Sequence, residues 1–404
     1  MRGEGWLSAQ WQSVGQARLV TLRAVELRVV EIPFLGAVST SRGIHRHRRL
    51  VMVRIVGETS GRSVDGWGEC AALGDTTYDR EDAAAAFSAL EGSLVPRLLA
   101  QCSATGGLLA MPARLDRHRL GARDYPLAFA ALEMAVADAH LRAERRPFAT
   151  LLGVAGRSVE PGAVLGISSS IGALVANVEA LANQGYTRVK MKIGPGWDST
   201  PLQAVRAAVP ELRLQADANE SYGPADEDHL ASLDRFGLLC LEQPFDRDDL
   251  DGHARLAARM DTPICLDESL TSPSRVSSAL DLGACSVVCV KPSRLGGIGS
   301  ALSVIEDCTA SDVPLWMGGM FESGFARGIN ATLAALPGFT WPGDLSPARS
   351  YLADDLVEAI RPHQRGEGGL VISVPTADGF GEHPDHKALV RLSSNVVRQD
   401  VDPG

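Results

Sequence analysis

No apolar run in this 404-residue chain approaches the ~18 residues that span a bilayer. The first twenty residues mix Trp6, Gln10, Trp11, Gln12 and Gln16 without an apolar stretch of signal-peptide length. A membrane partner is therefore not expected, and the cytoplasm is the expected compartment. A basic surplus is missing too: the formal net charge of −10 argues against a nucleic-acid partner. The seven cysteines (Cys70, Cys102, Cys240, Cys265, Cys285, Cys289 and Cys308) contain no CxxC pair and fall mostly in apolar stretches, as reduced core thiols do. Cys285 and Cys289 flank the strand-like run Ser286, Val287, Val288 and read as core rather than as a metal pair. The nine histidines show no HxxxH or HExxH spacing, so none is assigned to a metal. Gly296-Gly297 and Gly318-Gly319 form neither a P-loop nor a GxGxxG turn. They read as places where backbone approaches a ligand closely.

What is present is ordinary globular material, 45% apolar and 22% charged. At roughly 100–200 residues per domain it suffices for two or three domains. Residues 19–32, 50–56 and 67–71 read as half-buried strands, the first two by clear alternation of apolar and polar side chains. Helical patterns follow at 79–99 and 125–144, the second with the small-residue stripe Ala128, Ala131, Ala135 and Ala139, suited to tight packing. From about residue 161, short apolar runs alternate with amphipathic stretches such as 224–236 and 250–260, the pattern of a parallel sheet covered on both faces. Seven such runs and a weak eighth near 339–341 suggest a closed barrel. The expected division is a loose N-terminal extension at 1–18, an α+β domain at 19–158, a (β/α) barrel at 159–346, and a segment at 347–404 returning to the first domain.

The ends of the barrel runs carry the chemistry. Run 187–192 ends with Lys190 and Lys192, run 212–217 with Asp217, 239–242 with Glu242, 264–267 with Asp267, and 287–291 with Lys291. The step of about 25 is one βα unit in a barrel of roughly 200–250 residues, whose strand C-termini converge on one mouth. Single acids after a parallel strand are often helix N-caps. Five consecutive strand ends reading Lys, Asp, Glu, Asp, Lys in register are not obtained that way. Three crowded carboxylates repel unless a cation sits among them. Oxygen ligands with open positions suit Mg²⁺, with Mn²⁺ or another divalent ion as the alternative. A lysine beside a dication and a second ammonium is expected to have a depressed pKa and to serve as a base.

Five strings in this chain, Lys190-Met-Lys192, Gln215 to Asn219 (QADAN), Leu241 to Pro244 (LEQP), Cys265 to Ser269 (CLDES) and Val290 to Gly297 (VKPSRLGG), resemble the muconate-lactonizing subgroup of the enolase superfamily. The resemblance runs from about residue 19 to 374. It implies an α/β fold, a modified (β/α) TIM barrel under an α+β capping domain. It also implies Asp217, Glu242 and Asp267 as metal ligands and Lys192 and Lys291 as the acid/base pair. Lys190 would tune Lys192 and contact the substrate carboxylate. No histidine base of the mandelate-racemase type stands on the seventh strand. Residues 317–324, with Gly318, Gly319, Met320 and Glu322, then Arg327, Asn330 and 342–346, resemble the o-succinylbenzoate synthase / N-acylamino acid racemase branch. Asn219 and Phe34, the latter at the start of the loop 34–43, join the candidate substrate-binding positions. Two departures stand out: Val164 replaces a hydroxyl residue, and the place of an Asp-x-Asp that would hold a dipeptide amine carries only Asp344.

The expected reaction is removal of the proton α to a carboxylate of a small molecule. One outcome is dehydration of a cyclohexadiene carboxylate to o-succinylbenzoate, a step of menaquinone formation. The other is racemisation of an N-acylamino acid such as an N-succinylamino acid. Another cycloisomerase or epimerase of the subgroup is an alternative, and a metal-independent Schiff-base lyase is a rival of a different class. A homo-oligomer is expected. Arg294 either depresses the Lys291 pKa or pairs at the end of its strand. Glu322 either positions substrate or serves as a helix N-terminal acid. The basic run 41–49 either steers anions or is a solvated hairpin end.

Overall fold

The structure, a computed structural model, describes residues 5–40, 43–358, 360–366 and 368–401. It begins with helix α1 (Trp6–Ser13), which buries Leu7 and Trp11. This corrects the expectation of a loose extension over 1–18, of which residues 1–4 lie outside the described residues. The reason is a carboxylate on a barrel helix. Glu306 accepts hydrogen bonds from Leu7 N (2.5 Å), Ser8 N (3.2 Å) and Ser8 Oγ (2.6 Å), satisfying backbone donors that a helix start leaves open.

Strands β1 (Thr21–Thr40), β2 (Gly43–Thr59) and β3 (Arg62–Cys70) form an antiparallel sheet. The strand Ser393–Asp400 pairs on the outer side of β1, so the end of the chain completes this sheet. Alternation divides its side chains between two cores. Val25, Leu27, Val51, Val53 and Ile55 pack with helices Ala83–Ala89, Val95–Ala104 and α2 (Pro126–Ala143). Ile32, Phe34, Leu50 and Met52 join the larger core of the barrel. The pattern expected from residue 79 becomes a helix only at Ala83, where the Asp82 side chain caps it by accepting from Ala85 N.

Helix α2 starts on Pro126, which needs no partner for a backbone N–H. Glu81 accepts from Leu127 N and Ala128 N, both at 2.8 Å. The expected alanine stripe meets two glycines of β3. A Cβ on Gly66 or Gly68 would collide with the α2 backbone at Ala135, Ala139 and Ala131, so the helix rests directly on the strand.

The parallel sheet comprises β4 (Ala163–Leu165), β5 (Arg188–Lys192), β6 (Arg213–Asp217), β7 (Leu241–Glu242), β8 (Ile264–Leu266), β9 (Val287–Val290) and β10 (Leu315–Met317), paired in chain order. The eighth place is filled by 338–344 through isolated bridges rather than a regular strand. Leu315 N bonds Gly338 O (3.2 Å), Asp344 N bonds Met317 O (2.7 Å), and Gly162 N bonds Gly343 O (2.6 Å). Outer helices follow the strands, among them α3 (Ile298–Ala310) and α4 (Gly324–Ala334). The stretch 224–236 is broken into a helix at Glu227–Ala231 between two 3₁₀ turns. No helix among the described residues is long and apolar enough to cross a membrane.

Candidate active site

Alternation along β5 sends Arg188, Lys190 and Lys192 inward, while Val189 and Met191 enter the core under the helices. The parallel register sets Lys192 opposite Asp217 and Asp217 opposite Glu242. Asp267 and Lys291 immediately follow β8 and β9. All of these side chains are buried: Asp217 and Glu242 fully, Lys192 the most open at 7% exposure. The strand-end acids and lysines read from the sequence thus meet in one mouth.

Each lysine finds a carboxylate. Lys192 Nζ lies 2.5 Å from Asp217 Oδ2. Lys190 Nζ is shared by Asp217 (3.2 Å), Glu242 (3.1 Å) and Asp344 (2.8 Å), and it stands 4.7 Å above the Trp316 ring. Lys291 Nζ lies 2.7 Å from Asp267 Oδ2 and donates to Tyr78 Oη at 2.9 Å. Tyr78 Oη donates in turn to Asp267 Oδ2 at 2.7 Å. Arg294 pairs with Asp267 Oδ1 and, at 3.1 Å, with Asp79.

The electrostatics follow from burial and neighbours. Burial opposes ionisation of Asp267, but Arg294, Lys291 and Lys190 outweigh it and hold the carboxyl far below its usual range. Burial, then the charge of Asp217, pushes Glu242 up to about 8. For Lys291, burial favours the neutral amine, yet Asp267 outweighs both burial and Arg294 and holds the ammonium above the ordinary lysine value. Lys190 is held higher still by Asp344, Glu242 and Asp217 against its burial. Each of these two lysines faces carboxylate oxygen, whereas the expected depression is for a lysine beside a bound dication.

Four buried carboxylates meet here: Asp217, Glu242, Asp267 and Glu268. Glu268 is pushed up to about 7 by burial and by Asp267. Asn219, in a left-handed conformation at φ 44°, donates to Glu268 Oε1 at 3.0 Å. Glu268 Oε2 and Asn219 Oδ1 are buried without hydrogen-bond partners. Excess acid and unsatisfied carboxylate and amide oxygens fit a hard divalent cation. Among the described residues, potential ligand atoms of Glu242, Asp267 and Cys289 all lie within 4.8 Å of one another. Asp217 is outside that cluster, drawn towards Lys192 and Lys190. Cys289, read from the sequence as a core thiol, is buried but faces the acids.

The remaining candidates divide. Gly318 lies where a Cβ would stand 2.6 Å from Lys291 Cε and 2.5 Å from Cys289 Sγ, so the lysine crosses its bare backbone. At Gly319 a Cβ would stand 3.1–3.2 Å from Arg327 and Asp344. Met320 Sδ accepts from Arg294 at 3.7 Å. Glu322 is tied to Arg327 (2.9 Å) and Asn330 (3.0 Å) of α4, beside that helix's start, rather than to a lysine. Phe34 packs edge-on against Phe321 at 5.3 Å. Of the run 41–49, residues 41 and 42 lie outside the described residues, while Arg48 is buried against the carbonyls of Ala71, Ala72 and Phe321. Sequence reasoning missed Tyr78, Asp79 and the inward role of Asp344. Tyr78 precedes, and Asp79 opens, a stretch read as helical that becomes a helix only at Ala83, whereas Asp344 closed the eighth place of the barrel and was readable as a further strand-end acid.

Comparison with known proteins places the chain among relatives along nearly its whole length. The family "Mandelate racemase / muconate lactonizing enzyme, N-terminal domain" matches residues 14–153, and "Enolase C-terminal domain-like" matches 173–388. The chain is 41% identical to an N-succinylamino acid racemase of Amycolatopsis sp, covering 93% of this chain and 98% of the relative. It is 36% identical to an o-succinylbenzoate synthase of Geobacillus stearothermophilus, with 93% and 96% covered. A solved enolase-superfamily structure from Listeria innocua superposes with a TM-score of 0.86 at 31% identity, covering 95% of this chain and 100% of that one.

Proposed function

The chain belongs to the enolase superfamily of divalent-metal-dependent enzymes, and from that premise we propose that its barrel mouth racemises N-succinylamino acids. The observation that carries this reading is the pair of buried lysines, Lys192 and Lys291, on β5 and just after β9, separated by the three acid-bearing strand ends. A substrate Cα held over the acids has one amine on each face. Lys192 as a free amine takes the Cα proton, and the C–H electron pair passes into the adjacent carboxylate. The Lys291 ammonium returns a proton to the opposite face, and the reverse reaction exchanges the two roles. Asp217, Glu242 and Asp267 would hold the cation, Mg²⁺ or Mn²⁺, which when bound supplies positive charge where the carboxylate oxygens become more negative. Lys190, fixed by three carboxylates, adds a permanent positive charge beside Lys192. Tyr78 keeps the Lys291 amine aimed through its 2.9 Å hydrogen bond.

A second reading, o-succinylbenzoate synthesis in menaquinone formation, is supported by a specific contact: Lys291 Nζ lies 2.7 Å from Asp267 Oδ2, an arrangement suited to an ammonium that stays charged. There Lys192 removes the proton and returns it to the departing hydroxyl on the same face, while Lys291 stays an ammonium and steadies the carbanion. All seven cysteines are buried and unpaired, in keeping with a reducing cytoplasm.

The test supplies each enantiomer of an N-succinylamino acid in D₂O with Mn²⁺, and separately the cyclohexadiene carboxylate. Loss of optical rotation together with Cα deuteration is expected. Deuteration with full retention of rotation means one working base and removes the racemase reading. Lys192→Ala should abolish both reactions, whereas Lys291→Arg, which keeps the charge but not the base, should retain dehydration better than racemisation.

A further inference from the structure

Beneath the carboxylates the barrel holds a layer of soft atoms. Cys240, Cys265 and Cys289 pack with Val287 and Trp316, and Trp316 donates its indole N–H to Cys265 Sγ at 3.1 Å. Cys289 precedes Lys291 by two residues, so strand alternation turns both inward. Its sulfur and one oxygen from each of Glu242 and Asp267 lie within 4.8 Å of one another. Zinc–oxygen bonds of about 2.0–2.2 Å and zinc–sulfur bonds of about 2.3 Å reach across nearly that separation from one ion. Gly318 lets the sulfur and the Lys291 stem pack on its bare backbone, since a Cβ there would stand 2.5 Å from Cys289 Sγ and 2.6 Å from Lys291 Cε. Glu268, next to Asp267 in the chain, and Asn219 keep Oε2 and Oδ1 buried without partners among the described residues.

We propose that Cys289 is a sulfur donor to a divalent cation held by Glu242 and Asp267, so that this centre binds thiophilic ions such as Zn²⁺, Co²⁺ and Cd²⁺ through one metal–sulfur bond. The proposal rests on reading those acids as metal ligands and adds a ligand which that reading does not contain. Hard Mg²⁺ takes oxygen and leaves the thiol protonated, whereas a softer ion displaces the thiol proton to solvent and takes the sulfur. No electron transfer is involved. The centre therefore has two coordination modes, and the softer one engages the barrel interior as well as its mouth.

The experiment titrates the full chain with Mn²⁺, Co²⁺ and Cd²⁺ in equilibrium dialysis and records the Co²⁺ absorption spectrum. The expected result is a near-ultraviolet sulfur-to-cobalt charge-transfer band that vanishes in Cys289→Ser and persists in Cys265→Ser. Cd²⁺ affinity should fall at least about tenfold in Cys289→Ser, no less than loss of an outer-shell partner costs, while Mn²⁺ affinity stays unchanged. Co²⁺ bound by the wild type without the band overturns the sulfur ligand and leaves the carboxylate site standing. A band that survives Cys289→Ser overturns it as well. Failure of Mn²⁺ and Co²⁺ alike to bind overturns the metal reading and this proposal with it. Should Cys289→Ser not fold, cadmium NMR of the wild type decides: a sulfur-shifted resonance supports the proposal and an all-oxygen shift refutes it.

Discussion

Replacing Gly318 by alanine tests whether Lys291 requires its present track across the mouth. The new Cβ would stand 2.6 Å from Lys291 Cε and 2.9 Å from Lys291 Cγ, about 1 Å inside the ~3.5–4.0 Å at which carbon atoms pack. Gly318 needs no left-handed torsion, so the penalty is purely steric. Its N–H is bonded to Val290 O at 3.0 Å, which leaves the Lys291 side chain, and Cys289 Sγ at 2.5 Å, to yield. A shift of about 1 Å forfeits the 2.7 Å contact with Asp267 and the 2.9 Å bond to Tyr78. Overpacking of this kind costs about 1–3 kcal/mol of stability, and misplacing a reacting group by about 1 Å costs about 10²-fold in rate. Lys192, on the far side of the acids, keeps its 2.5 Å pairing with Asp217. The assay follows solvent deuterium exchange at Cα for each enantiomer separately. Exchange of one enantiomer should drop about 100-fold with that of the other far less affected, and racemisation should follow the slower. A folded variant that loses both exchanges equally, or keeps racemisation within about threefold, refutes the reasoning.

Gly68→Ala forces a methyl group into the α2 backbone and should cost about 3 kcal/mol, the upper end for overpacking, read as a lower urea midpoint with KM unchanged in the surviving folded fraction. Burial pushes Glu81 and Glu133 up to about 8, against the backbone N–H groups they accept from. Both shifts are upward, so their stabilisation is complete below the ordinary 4.5 and is lost as pH rises through about 8. The thermal midpoint should fall across that window, and a Glu133→Gln variant whose midpoint falls as steeply as the wild type's would contradict the assignment. Mn²⁺ at one hundred times its Kd should add about 2.7 kcal/mol to unfolding. Glu242→Gln should remove most of that gain at the same ion concentration, and an undiminished gain would exclude Glu242 as a ligand.

The barrel's chemistry was legible because it is written at strand ends, where one βα unit separates Lys192, Asp217, Glu242, Asp267 and Lys291 and the fold must bring them together. The alanine stripe of α2 was legible for a similar reason, a helical period answered by Gly66 and Gly68. What escaped reading depends on long-range contacts. Tyr78 reaches Asp267 across 189 positions of sequence, from a loop with no period to betray it. Helix α1 looked loose because its anchor, Glu306, lies about 299 residues away. Spacing also tells which charges meet in a mouth but not which oxygen each ammonium touches. Arg294 and Glu322 were left open between two roles for the same reason; Arg294 pairs with Asp267 and Asp79, and Glu322 with Arg327 and Asn330.

The buried acids of α2 and its surroundings act as rivets between the two domains. Glu133 accepts from Ile298 N at the start of α3 (2.6 Å). Asp138 accepts from Trp67 N (2.9 Å) and Phe380 N (2.8 Å), and Glu69 accepts from Ser323 N at the start of α4 (3.0 Å). To swing the cap off the barrel as a clamshell would strip several buried carboxylates of their donors at once. A small molecule must therefore reach the mouth without the cap leaving the barrel.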